Sequence, residues 1–393
     1  QKTRSNSMAD KLTRVEHWLA LAALLTAALY TAMFVLVVIP RFLYPYDLNF
    51  IEDGLLMTAA RAAAGRPVFI APQAEFTPHV YMPLYTWLGG LLFQWVEVSY
   101  VPLRGISLAA VLLSCNVIFF SARRESGQVW VGVVCAGLFV GGYRINGFWY
   151  DLACVVSLFV ALSLAGLALG TYGTDRWWGQ IGAAVALALA FLTKQTAVLM
   201  GVGLGLFLLS QLKQRAWRYW TVFGLLTVGP ALRLYTASDG WFWYYTVHIA
   251  GINPLDPARL LAFVGYELPL VMGGLTVMAS AAALLAVWRS GWRGLLAQPW
   301  FIWIALALII SGVGRFSVGG NLNNRMMAYT LLCIGPALLA REWARHPTLR
   351  PRHAGTVIAV LVLLQFALGV YNPWRYVPTP AMRRSGDNLI QTI

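Results

Sequence analysis

Apolar runs of roughly 15 to 25 residues recur from Trp18 almost to the end of this chain, and a helix needs about 20 residues to cross the hydrocarbon core of a membrane. Hydrophobic residues make up 59% of the 393 and charged residues only 11%, a balance that excludes a soluble domain of this size. The chain therefore reads as an all-α polytopic membrane protein. Cys115, Cys135, Cys154 and Cys333 all fall inside apolar runs, where they act as small core residues, so neither a disulfide framework nor a zinc site is indicated. Gln1 to Ser7 read as a tag remnant before Met8. The first apolar run, about 18–39, has no small-residue cleavage site after it and is expected to remain as a helix.

The formal charge of +14 is distributed in a way that argues for membrane topology and against nucleic acid, because the basic residues gather in short loops that mark the cytoplasmic side. Lys2, Arg4, Lys11 and Arg14 place the N-terminus inside. The apolar run from Tyr81 to Val96 is short and interrupted by Gly89-Gly90; if it crossed, the next helix would put Arg123 and Arg124 outside. It is therefore expected to be juxtamembrane. Arg123/Arg124, Arg176, Lys213/Arg215/Arg218, Arg289/Arg293 and the run containing Arg341, Arg345, Arg350 and Arg352 then all fall inside. Crossings are expected at about 18–39, 101–120, 129–143, 148–169, 180–193, 197–210, 219–235, 261–288, 300–313, 326–340 and 354–371, about eleven in all, with the C-terminus outside. One transmembrane domain would span 1–393, with juxtamembrane helices in a first outer loop at 40–100. The outer tail at 372–393, rich in proline near its start, reads as a linker toward a soluble outer domain.

Carboxylates are scarce, 15 in the whole chain, yet Asp47, Glu52 and Asp53 fall within seven residues just after the first crossing, followed by an amphipathic stretch from Gly54 to Gly65. Basic residues also stand at the outer ends of crossings: Arg41, Arg144, Lys194, Arg233, Arg315 and Arg325. Charge at membrane depth is expensive, so each should face a cavity or a partner. Lys194 is the sharpest case. It interrupts the apolar stretch from Ile181 to Leu209, which is too long for one helix and fits a tight outer reversal carrying an ammonium group; the plainer alternative is a lysine snorkelling to the interface.

A second polar cluster runs from Gly314 to Arg325. Its glycines let backbone amides approach an anion and its two arginines offer planar donors, a combination suited to phosphate, although an ordinary turn has the same composition. Phe76 to Tyr85 mixes prolines, His79 and phenolic hydroxyls beside the acidic loop. The segment from Asp239 to Tyr245, with Trp241 and His248, reads by itself as an aromatic belt, though sugars also stack on such rings.

Four segments together resemble the polyprenyl-phosphate-sugar-dependent glycosyltransferases of the C fold (GT-C), the superfamily containing protein O-mannosyltransferases and lipid A aminoarabinose transferases. Glu52-Asp53 matches, in reversed order, the acidic pair of that family's first outer loop. Tyr81-Met82-Pro83-Leu84-Tyr85 matches a Pro-Leu-Tyr segment opening a juxtamembrane helix, Leu192 to Gln195 matches a Leu-Thr-Lys-Gln segment of bacterial members, and Gly319 to Asn323 resembles a late Gly-Gly-x-x-Asn segment. Two departures stand beside these: His79 or Tyr81 occupies the place of a basic residue before the prolines, and Trp149-Tyr150-Asp151 is followed by Cys154 and Val156 in place of Arg and Asp.

The resemblance implies a GT-C-like bundle that moves a sugar from a polyprenyl-phosphate donor to an acceptor hydroxyl at the outer face of a bacterial inner membrane, typically with inversion. It assigns Asp53 as the general base and Glu52 as second choice, the plainer role for both being to favour the N-terminus of the following helix. It assigns Lys194, Arg315, Arg325, His79 and Tyr81 to the donor phosphate, and Asp47, Arg144, Asp151, Asn321, Asn323 and Trp241 to substrate. It leaves room for a divalent cation, requires no other cofactor, and names a glycan, lipid or protein as acceptor. The rival readings are a flippase for lipid-linked saccharides, which predicts internal repeats that the sequence does not display, and an O-antigen polymerase or ligase, in which the main polar loop is expected late in the chain.

Overall fold

The computed structural model describes residues 2–349 and 353–392; Arg350 and Arg352 of the inner basic run, with Gln1 and Ile393, lie outside the described residues. The described residues form helices without strands, apart from one isolated bridge between Leu255 and Ser317. In chain order they are α1 (Lys2–Phe42), α2 (Ile51–Ala63), α3 (Leu84–Leu92), α4 (Tyr100–Ser126), α5 (Val129–Gly141), α6 (Val155–Tyr172), α7 (Trp177–Thr193), α8 (Val198–Leu212) and α9 (Trp217–Ala237). The short α10 (Trp241–Trp243) and α11 (Pro257–Ala262) follow, and then α12 (Gly273–Leu296), α13 (Pro299–Phe316), α14 (Met326–Leu332), α15 (Gly335–Arg345), α16 (Ala354–Leu368) and α17 (Pro380–Thr392). Seven stretches are long and apolar enough to cross a membrane, the longest of them, Gln195–Ala237, containing both α8 and α9; α5 and α7 are shorter apolar helices.

α3 has nine residues, and at 1.5 Å per residue it is about 13 Å long, less than half of the ~30 Å core. It does not cross, as expected. Its Gly-Gly pair does not break it. A Cβ on Gly89 would overlap the Leu103 side chain of α4, and one on Gly90 would lie 3.0 Å from the Ala59 carbonyl of α2, so the glycines are what let α3 lie flat between these two helices. The same device closes α6 on α7, where Gly166 receives Leu187.

Three expected segments differ. The crossing expected to begin near residue 148 starts at Val155, and the chain from Gly142 to Cys154 is instead an irregular plug with Gly147 and Phe148 at positive φ (70° and 61°). Non-helical backbone at this depth survives only if protein groups satisfy it: Arg41 donates to the Phe148 carbonyl, Ser107 to that of Leu152, and Ser157 to that of Tyr150. The expected crossing from 261 is interrupted. A π-helical segment, Phe263–Val271, carries Pro269 and ends at Met272, after which α12 begins afresh. The tail is helical where a linker was expected: Tyr376 stacks on Phe148 at 3.7 Å, and Asp387 of α17 accepts a 2.5 Å hydrogen bond from Tyr46.

Charged side chains sort to the two ends of the bundle. At one end Glu125, Glu342, Arg289 and Arg341 form a network; at the other, Arg41 pairs with Asp151, Arg104 with Glu52, and Glu267 with Arg315 and Arg325.

Candidate active site

The first turn of α2 carries both acids of the pair, and helical geometry sends consecutive residues in different directions. Glu52 points inward and is fully buried. Its oxygens accept from Arg104 Nε (3.0 Å) and Nη2 (2.8 Å), from the Leu48 amide (2.6 Å) and from the Ala153 amide (2.6 Å). Arg104, equally buried, also donates to the carbonyls of Arg41, Tyr44 and Tyr46. A buried pair is tolerable only when further hydrogen bonds satisfy both ions, and here they do. Glu52 and Arg104 thus pin the loop between α1 and α2 onto α4 and the plug, and the Glu52 carboxylate has no exposed face toward an acceptor.

Asp53 points outward and is exposed, with its Oδ1 accepting from the Tyr100 hydroxyl. Asp47 is exposed nearby; desolvation first, and then the charges of Asp53 and Glu52, raise its pKa above the usual carboxylate value. The wall continues through Gly54, where a Cβ would lie 3.0 Å from the His79 ring. His79 stacks on Tyr81 with ring centres 5.1 Å apart. Burial pushes the His79 imidazole down to about 4, so it is neutral near pH 7 and offers a hydrogen bond without a charge.

Lys194 follows the last residue of α7 in an extended conformation (φ −148°, ψ 124°), and a 3₁₀ turn, Gln195–Ala197, leads directly into α8. This is the expected tight reversal. The ammonium group donates to Asn324 Oδ1 at 3.1 Å and stands 5.6 Å from the Phe159 ring centre, and burial lowers its pKa. Among the described residues no carboxylate forms an ion pair with it. Gln195 then ties the reversal to two other loops, donating to the carbonyls of Val80 (3.1 Å) and Thr246 (2.8 Å). Beneath Lys194 an enclosed cavity of about 60 Å³ is lined by Phe159, Thr196, Gly314, Asn323 and Asn324, large enough for water or a single small polar group.

Arg315 and Arg325 converge on one carboxylate. Glu267 receives Arg315 Nη2 at 2.5 Å and Arg325 Nη1 at 3.5 Å, so the two cations share a single counter-charge. Arg325 also donates to the Ile145 carbonyl, while its Nε has no partner. The Gly319-Gly320 turn returns the chain onto α13: Gly319 has φ 91°, a Cβ on Gly320 would collide with the Gly314 carbonyl, and Arg315 Nη1 binds the Gly320 carbonyl at 2.5 Å. These glycines shape the loop and do not hold an open amide cradle.

Buried polar atoms normally find partners. Of the ten side-chain atoms that do not among the described residues, eight sit at this end of the bundle, on His79, Asn146, Gln195, Thr196, Tyr245, Asn323, Arg325 and Tyr371. Such a concentration marks a surface prepared for a polar group.

The solved structures that this architecture resembles are membrane enzymes. ArnT of Cupriavidus metallidurans matches in its apo state with a TM-score of 0.58 over 87% of this chain and 75% of that one, at 15% identity. The same enzyme bound to undecaprenyl phosphate gives 0.56 over 87% and 76%, again at 15% identity. The apo oligosaccharyltransferase of Archaeoglobus fulgidus gives 0.57 over 94% of this chain and 59% of that one, at 11% identity. The chain has the GT-C fold. No family model and no curated protein matches it in sequence.

On the GT-C scaffold, other residues expected at the site are engaged in contacts of their own. Asp151 is fully buried against Arg41 Nε (2.6 Å) and the Tyr143 hydroxyl (2.7 Å) and holds the plug in place. Arg144 is exposed and binds the Val370 carbonyl at 2.6 Å; Asn321 is exposed. Trp241 is half-buried. Its loop is no free-standing belt, because Phe242 and Tyr245 pack with Val68, Phe69, Met82 and Leu192 in a small core that joins the loop to the first outer segment. Asn323 is buried, its Oδ1 unpartnered beside the cavity under Lys194. Three residues that organise this end escaped the sequence reading. Arg104 and Tyr100 lie at the start of α4, and Glu267 lies 48 residues from Arg315; an arginine inside an expected crossing is the one signal that could have exposed Arg104.

Proposed function

We propose that this protein is a GT-C glycosyltransferase that moves a sugar from a polyprenyl-phosphate donor to an acceptor hydroxyl, working from the periplasmic face of a bacterial inner membrane with its N-terminus in the cytoplasm. One observation carries the reading: Lys194 is a desolvated cation without an anion, at the end of the bundle where orphaned polar atoms gather. An unpaired charge at membrane depth is expensive and marks function by default. The fold shared with ArnT, which binds undecaprenyl phosphate, supports a lipid-linked phosphate as the missing anion.

In the reaction, Asp53 accepts the proton of the acceptor hydroxyl as that oxygen bonds to the anomeric carbon. The bond from that carbon to the phosphate oxygen breaks, and the polyprenyl phosphate leaves carrying the electron pair. Lys194 neutralises the charge that develops on it, a contribution commonly worth 10²–10³ in rate, or ~3–4 kcal/mol. Glu52 acts by fixing the loop that bears Asp53, and Tyr100 by orienting its carboxylate. The shared counter-charge of Glu267 leaves Arg315 and Arg325 with a net positive charge that draws the donor's headgroup toward Lys194. The residues that act in this proposal are Asp53 and Lys194.

The test is transfer of labelled sugar from a polyprenyl-phosphate donor in proteoliposomes, with lipids carried through purification identified by mass spectrometry. Asp53→Asn should lower transfer by roughly 10²–10⁴ with co-purified polyprenyl phosphate unchanged. Full activity in that variant, or wild-type protein that carries no polyprenyl phosphate and transfers no sugar, would overturn the reading.

A further inference from the structure

At the end of the bundle opposite Lys194, α4 and α6 with the start of α7 enclose an open groove of about 1080 Å³ that the transfer reaction does not use. Its walls are apolar, built from Leu113, Val117, Phe120, Ala165 and Leu169, and its mouth carries Arg123, Arg124 and Arg176. From Leu113 to Arg124 the wall runs about 16 Å along α4 at 1.5 Å per residue, the depth of one leaflet of a ~30 Å hydrocarbon core.

The arginines are exposed, but two of them are held. The Arg124 guanidinium lies 4.5 Å over the ring of Tyr172, and the Tyr172 hydroxyl bonds Glu125 at 3.0 Å; Arg176 lies 5.4 Å over Trp178. Stacking on fixed rings positions planar donors for an oxyanion. The acid in the lining is Asp175, one carboxylate against three guanidinium groups, and the neighbouring Glu125 is already committed to Arg341, Trp300 and Tyr172. The mouth is therefore electropositive while the walls behind it are hydrocarbon.

We propose that this groove binds one anionic phospholipid of the inner leaflet, its phosphate between Arg124 and Arg176 and an acyl chain along α4 and α6. Basic pockets between helices on the cytoplasmic side have the chemistry for such headgroups. A zwitterionic lipid would bring a fourth cation into a mouth that already holds three. A wall one leaflet deep fits a phospholipid chain and not a long polyprenyl chain.

Native mass spectrometry of the full chain in detergent, titrated with phosphatidylglycerol or with phosphatidylcholine of the same acyl chains, tests this. Wild-type protein should take phosphatidylglycerol about tenfold or more in preference, and Arg124→Gln with Arg176→Gln should abolish that preference. Ala168→Trp fills the groove with the arginines intact and should lower phosphatidylglycerol adducts to the level of the double variant. Equal uptake of both lipids by wild-type protein, or undiminished phosphatidylglycerol adducts in either variant, would overturn the proposal.

Discussion

The two ends of this bundle treat buried charge in opposite ways. At the end carrying Arg341, Glu125 and Glu342 meet Arg341, Arg289 and Arg345, and Trp300 and Tyr172 add hydrogen bonds to Glu125, so each carboxylate is fully engaged. At the opposite end Arg104 and Glu52 are matched just as fully, yet Lys194 has an amide oxygen and an aromatic ring but no carboxylate, and most of the unpartnered polar atoms among the described residues stand at this end. Paired charges hold helices in register. An unpaired one costs stability, and a chain that keeps it at a cavity keeps it for a ligand.

The comparison fails outright if the two ends do not lie on opposite sides of a membrane. Phe50→Cys and Val318→Cys, both at exposed positions, should react with a membrane-impermeant thiol reagent from one side, and Ser290→Cys should react only from the other. Labelling of all three from one side would put both ends of the bundle on that side, and labelling of Phe50→Cys and Val318→Cys from opposite sides would mean that Asp53 and Arg315 do not share a face.

Next in size is the effect of breaking the paired end. Arg341→Met leaves Glu125 and Glu342 buried with fewer donors, and Arg104→Met does the same to Glu52; each should cost about 3–5 kcal/mol, seen as a lower melting temperature in detergent. A loss below about 1 kcal/mol would mean that these networks do not organise the fold.

A smaller effect belongs to His79. Its folded-state pKa of about 4 lies below the ordinary 6.5, so the neutral imidazole contributes stability that is fully present above pH 6.5 and is lost as pH falls through the window from 6.5 to 4. That difference bounds the loss at about 3 kcal/mol. Melting curves across that window should flatten in His79→Gln relative to the wild type; identical slopes would mean that the ring is solvated.

Much of this contrast was legible in the sequence, because membrane topology is written in local patterns. Apolar runs located most helices, and the lysine in the middle of Ile181–Leu209 announced its own reversal. What stayed hidden depends on contacts between distant residues. Nothing local distinguishes Glu52, sealed by Arg104, from its neighbour Asp53, which faces outward. The plug at 142–154 is apolar enough to be read as helix, and it departs from helix only because Arg41, Ser107 and Ser157 satisfy its backbone. Gly319-Gly320 resembled an anion cradle, although it is bound by the arginines beside it.

The central claim, that Lys194 is kept for a lipid phosphate at the expense of stability, is tested most directly by Lys194→Met, with melting temperature and sugar transfer measured on the same preparation. Replacing an unpaired desolvated ammonium by an apolar side chain of similar length should leave the melting temperature unchanged or raise it, while transfer falls by about 10²–10³. A variant that melts lower and transfers at the wild-type rate would show that Lys194 serves the fold, and would contradict the account.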